Sequence, residues 1–129
     1  MSCVLRVMGR RTSVEAFLAK SRLDAIPARS RTASRFAVNI TVSAAPMDDF
    51  ASQVKDALAF LSRHKRTLHR LAQDPGVARV TVDFAVEQKT GMASQSTTIP
   101  AELIRLASLA GIAIEISHYA VKFAKRRVS

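Results

Sequence analysis

Tryptophan is absent from this chain, and cysteine and tyrosine occur once each. A single cysteine excludes an intrachain disulfide framework and fits a reducing compartment. No apolar run approaches the roughly 20 residues that span a bilayer. The segment Met1-Ser2-Cys3-Val4-Leu5-Arg6 lacks the long apolar region of a secretory signal. The cytoplasm is therefore the expected compartment. No tract is simple in composition and no internal repeat is visible. Acidic residues are also scarce: ten Asp and Glu face twenty Lys and Arg, a formal net charge of +10. Such a field draws polyanions and acidic partners but says nothing about fold.

What is present suits one folded domain. The 129 residues are 48% hydrophobic, enough for a core of useful size. The organising stretch is Met47 to Gln73. Its apolar residues recur at helical spacing (Met47, Phe50, Val54, Leu58, Leu61, Leu68), while Lys55, Arg63, Arg66 and Arg70 fall on the opposite side. Pro46, Asp48 and Asp49 suit its start, where the helix dipole favours anions. Asp74-Pro75-Gly76 stops it.

Around this helix the pattern has period two. Cys3 to Met8 reads as a strand ended by Gly9, with Cys3, Leu5 and Val7 on one side. Arg35 to Ser43 and Val77 to Glu87 alternate strictly, as half-buried strands do. Thr12 and Glu15 have the spacing of a capping box for a short helix to about Lys20, facing inward through Phe17 and Leu18. Ser21 to Ser34, with Pro27, Arg22, Arg29 and Arg31, has no clear period and has room for a short edge strand. Residues 88–98 read as a polar loop. Pro100 and Glu102 suit the first turn of a third helix, Gly111 its left-handed C-terminal residue, and Ile112, Ile114 and Ile116 a last strand. The expected fold is α+β: a two-layer sandwich of four to five strands in a mixed sheet with helices on one face, because strictly alternating strands bury only one side. A ferredoxin-like arrangement with an added α-β unit is one form of it. Residues 1–121 form the domain, and 122–129 a basic tail expected to fray.

Four segments, Asp56-Ala57-Leu58-Ala59-Phe60-Leu61, Asp74-Pro75-Gly76-Val77, Pro100-Ala101-Glu102-Leu103-Ile104 and Gly111-Ile112-Ala113-Ile114-Glu115-Ile116-Ser117, occur in this order. Together they resemble a family of small bacterial proteins known only as a domain of unknown function. The likeness spans roughly Cys3 to Tyr119 and rests on helix, turn and strand signals. It implies a fold and carries over no catalytic or ligand residue.

Chemistry has few candidates. His64 and His69 are five apart, about 140° around a helix, so they do not share a metal. His64 lies inside the apolar stripe and reads as a buried, hydrogen-bonded core residue. His118 follows the parity of Ile114 and Ile116 and is expected on the inner side of a strand end. No thiolate cluster for zinc, no G-x-S-x-G elbow and no P-loop is present, so no metal, cofactor or catalytic residue is expected. A small-ligand site with residues 88–98 as a lid is a third reading. Gly9-Arg10-Arg11-Thr12-Ser13 is a strand-to-helix turn with two arginines, read as a capped turn before a phosphate site.

Two surfaces remain. The outward residues Arg6, Arg35, Asn39, Thr41, Asp83, Glu115 and Tyr119 define an open sheet face, with Ala37, Ala85 and Ala113 leaving it shallow. This face is the expected contact for a protein partner or a homodimer, the ordinary account of its charges being cross-strand pairing. Arg63, Arg66 and Arg70 form a basic ridge. It offers a backbone-only contact to nucleic acid, since no aromatic residue interleaves it. A non-enzymatic protein-binding or self-associating module is the expected function, with non-sequence-specific nucleic-acid binding as the alternative.

Overall fold

In a computed structural model that describes residues 2–28, 36–91 and 93–120, the alternating segments form one five-stranded sheet covered on one face by three helices. The elements follow the chain as β1 (Cys3–Gly9), α1 (Arg11–Ser21), β2 (Ile26–Ala28), β3 (Phe36–Ser43), α2 (Phe50–Gln73), β4 (Val77–Gln88), α3 (Ala101–Ala110) and β5 (Ala113–Ala120). The sheet order is β2-β3-β1-β4-β5. Strand β1 is antiparallel to both β3 and β4, and β2 is antiparallel to β3. Two split β-α-β units therefore interleave: β1-α1-β2 around β3, and β3-α2-β4 around β1. That is the ferredoxin-like arrangement. The unit α3–β5 extends it, with β5 parallel to β4. The short edge strand β2 lies inside the segment that had no readable period.

One set of side chains from every central strand meets the helices. Cys3, Leu5 and Val7 of β1 and Val82 and Phe84 of β4 are fully buried. They form one cluster with Val14 and Phe17 of α1, Leu61 and Leu68 of α2, and Leu103 of α3. Helix α2 spans 24 residues, about 36 Å at 1.5 Å per residue, so it crosses the whole sheet.

Local chemistry shifts several expected boundaries. Helix α2 begins at Phe50, because Asp49 caps it: its carboxylate accepts from the Ser52 amide at 3.1 Å and the Ser52 hydroxyl at 2.7 Å. Those two bonds, the hydroxyl's foremost, hold the Asp49 pKa below 3.8. Met47 is left in the preceding turn, its carbonyl accepting from the Glu87 amide at 3.2 Å. Gln53, completely buried, ties the same turn to the sheet by donating to Pro46 O at 3.2 Å and Ala85 O at 2.8 Å. The capping box of Thr12 and Glu15 does not form. Helix α1 starts at Arg11, which puts Thr12 inside it, and Glu15 pairs instead with Arg11 one turn back at 3.5 Å. Pro100 stands just before α3, and Gly111 takes the left-handed conformation that ends it, φ 74°. Arg35, expected to open β3, and the tail 122–129 lie outside the described residues.

Gly9 and Gly76 let β1 and β4 close on each other beneath α1. The Arg10 amide donates to Gly76 O at 2.8 Å, and a Cβ on Gly9 would strike the Gly76 carbonyl and come within 2.8 Å of Val77 Cα. Backbone on both sides leaves nothing to move aside. Gly91 has φ 79° but open space around it. We predict that Gly9→Ala lowers unfolding free energy by about 1–3 kcal/mol, the cost of overpacking. Gly91→Ala should cost about 1 kcal/mol, from backbone strain alone. Urea unfolding of the two variants measures the difference.

Candidate functional site

The sheet face that the three helices leave open joins five of its polar residues into one network. Arg6, at the middle of β1, is flanked by Asn39 on β3 and Thr81 on β4. Its Nε donates to Asn39 Oδ1 at 3.0 Å and its Nη2 to Asp83 Oδ2 at 3.1 Å. Nη1 lies 3.7 Å from Glu115 Oε1, and the Ser117 hydroxyl donates to the other Asp83 oxygen at 2.8 Å. Asp83 and Glu115 stand directly opposite each other across β4 and β5. Two like charges in that register repel, and the guanidinium between them turns the repulsion into a four-strand tie. Asp83 is 8% exposed and Arg6 partly buried, so the network belongs to the sheet as much as to its surface.

The structure therefore joins Arg6, Asn39, Asp83 and Glu115 of the expected face. Thr41 lies opposite Val4 and is exposed, Tyr119 sits at the far end of β5 opposite Glu87 and is 51% exposed, and Arg35 is outside the described residues. Of the small residues, Ala37 is buried, while Ala85 is half-buried and Ala113 exposed. Thr81, beside Arg6, is 3% exposed, and its hydroxyl has no hydrogen-bond partner among the described residues.

The helix layer has the opposite character. Arg63, Lys65, Arg66 and Arg70 of α2 are exposed, and none takes a hydrogen bond or ion pair among the described residues. A groove of about 330 Å³ runs between α2 and α3, lined by Lys65, Arg66, His69, Arg105, Leu106, Leu109 and Ala110. A second, of about 410 Å³, lies between α1 and α2 and includes Lys20, Thr67, Arg70 and Asp74. The ridge of three arginines thus divides two clefts. Sequence reasoning missed Lys65 and Arg105, since residues on separate helices share no period. One signal did exist: α3 carries more apolar residues than one helix face holds, and Ile104 and Leu109 remain 51% and 65% exposed.

The remaining candidates are occupied by structural roles. Cys3 is fully buried, and burial first, then the charges of Asp83 and Asp56, push its pKa from 9.0 up to about 12, so it stays a neutral thiol. Arg11 of the strand-to-helix turn lies over the Phe36 ring at 4.1 Å and pairs with Glu15. The loop after β4 is latched by Gln95, whose side chain accepts from the Lys89 amide and donates to Glu87 O, both at 2.8 Å. His69 Nδ1 faces Leu109 O at 3.2 Å; a carbonyl only accepts, so this nitrogen carries the proton and ties α2 to α3. His118 keeps the parity of Ile114 and Ile116, opposite Val86 of β4, but is exposed at the end of the sheet, because β4 and β5 run beyond β1 there. Among the described residues no group of three or more His, Cys, Asp and Glu converges as a metal site. Among the same residues no helix is long and apolar enough to cross a membrane.

His64 is half-buried, not buried. It interrupts α2 with φ −109° and ψ 15°, and its ring leans on Phe60 at 4.7 Å. Burial first, then the neighbouring Arg63 charge, lowers its pKa below 6.5. Comparison with known proteins finds no matching family model, no matching curated protein and no matching solved structure.

Two measurements follow from this geometry. Arg6→Met leaves Asp83 and Glu115 facing each other and should cost about 1–3 kcal/mol, as charge-assisted bonds do. A double-mutant cycle with Asp83→Asn should recover part of the loss, and strict additivity would show the pair to be uncoupled. For His64, a lowered folded-state pKa means the unfolded chain takes up the proton more readily. Stability contributed by the neutral ring is thus complete above 6.5 and lost as pH falls through the folded value. His64→Gln should flatten the change in urea midpoint between about pH 8 and about pH 5.

Proposed function

We propose that the protein acts by binding, and that its partner is an acidic protein met by the helix layer. The observation that carries this reading is the contrast between the two faces. On the sheet, Arg6, Asp83 and Glu115 find counterparts within the chain; the basic side chains of α2 find none among the described residues. The helix dipole is the ordinary account of basic residues near a C-terminus, but its influence fades within the last turn. Only Arg70 lies there. Arg63, Lys65 and Arg66 stand further back, where the dipole does little for them.

Among the described residues no helix covers the open sheet face, yet Arg6, Asp83 and Glu115 on it are mutually bonded and offer a partner fewer free contacts. Arg6, Asp83 and Asn39 hold strands together first. A second copy meeting this face is a weaker form of the same binding reading. Nucleic acid is the competing partner, favoured by the same unpaired cations. Leu109, with half-buried Leu106 beside it, argues for protein: a phosphate backbone has no use for an exposed leucine between cations, and the ridge has no aromatic platform for bases.

The decisive comparison uses wild-type protein and the pair Arg66→Glu with Arg70→Glu. We expect wild-type protein to retain an acidic protein after nuclease treatment and the reversed variant to lose it, while Arg6→Met keeps it. Affinity for a mixed-sequence RNA or DNA duplex is then followed from about 50 to about 200 mM salt. A steep log–log decline that disappears in the reversed variant, with no protein retained, would transfer the site to nucleic acid.

A further inference from the structure

The two surfaces of the helix layer are not equivalent, and the α2–α3 groove is the more specific. Its floor is apolar and already fixed. Leu106, Leu109 and Ala110 come from the second half of α3, whose end is held by His69 on Leu109 O and by the left-handed Gly111. A Cβ on Gly111 would come within 2.9 Å of Ala72 Cβ, so the two helices are in close contact just below the groove. Three cations rim it: Lys65 and Arg66 from α2, Arg105 from α3. Leu109 is 65% exposed among them, an apolar side chain whose neighbours are charges without partners among the described residues.

We infer that this groove is the anchoring site for the acidic partner proposed above: an amphipathic helix that lays one large apolar side chain on Leu106, Leu109 and Ala110 while its carboxylates meet Lys65, Arg66 and Arg105. The inference rests on that reading and adds the chemistry of the segment recognised. Charge complementarity selects the occupant. This chain's own segments at 29–35 and 121–129 are basic by sequence and would be repelled. A second copy is equally ill suited, because the acids on its helices are dispersed: Glu15 pairs with Arg11, Asp56 accepts from the Ser43 hydroxyl at 2.6 Å, and Glu102 stands in the first turn of α3. Helix-in-groove recognition sets apolar side chains at i, i+3 and i+4 toward the groove floor, and the positions flanking that stripe meet the rim. The length of groove between Lys65 and His69 fits one such turn.

The probe is a fluorescein-labelled synthetic peptide of about 15 residues, with leucines on one helical face and glutamates elsewhere. Two relatives accompany it, one with leucines replaced by serine and one with glutamates replaced by lysine. Anisotropy titrations of the full chain should show the serine peptide binding about tenfold more weakly and the lysine peptide not at all. Leu109→Ser, at an exposed position, should erase the preference for leucine while leaving the weaker binding of the serine peptide. Arg105→Glu should weaken both acidic peptides. Equal binding of the leucine and serine peptides, or a preference that survives Leu109→Ser, overturns the groove and leaves the acidic-partner reading intact. If neither acidic peptide binds, or a duplex RNA binds more tightly than both, the groove and the acidic partner fall together.

Discussion

Strand β1 lies between two antiparallel neighbours, and its alternation governs both faces of the molecule. Cys3, Leu5 and Val7 are fully buried on the side where the helices pack. Arg6, one residue out of phase, holds Asn39, Asp83 and Glu115 on the other. A shift of one residue would send the arginine into the core and the core into water. Burial of one side and satisfied charge on the other therefore select the same register. Because β3 and β4 run in the same direction with β1 between them, the chain must cross the sheet between them, and α2 is that crossing.

The consequence is a molecule with two electrostatic characters. All ten acidic residues lie in the described segments, together with thirteen of the twenty basic ones; the other seven fall within 29–35 and 121–129. The net charge of the described residues is thus far smaller than that of the whole chain. What distinguishes α2 is less its total charge than the lack of partners for its cations among the described residues. The sheet uses its charges for cohesion. The ridge of α2 leaves them available, with exposed leucine in the cleft beside it.

Much of the fold was legible because burial imposes a period. Strands β3 and β4 alternate without interruption, and α2 keeps its stripe for six turns, so type and facing followed directly. Errors arose where local chemistry had two solutions. Thr12 and Glu15 have capping spacing, but Arg11 one turn before Glu15 supplies an ion pair, and the helix begins two residues earlier, with Arg10 as its N-cap. Asp49 rather than Met47 opens α2, because its carboxylate can satisfy both the amide and the hydroxyl of Ser52. His64 fits the apolar stripe by angle, yet the helix breaks its regular geometry there and leaves the ring half-exposed against Phe60. Phase is a property of an ideal helix, and α2 is not ideal at that position.

By itself the sequence determined the α+β class, the side of each long strand that faces the core, and the presence of a basic ridge on one helix, since each depends on period or composition within one element. Only the tertiary structure decided that Arg6 reconciles Asp83 with Glu115, that Gln53 pins a turn to β4, and that Lys65 and Arg105 rim one groove. Those facts concern residues from different elements brought within hydrogen-bonding or van der Waals reach. No pattern along the chain encodes such a meeting, because it is set by strand register and helix packing.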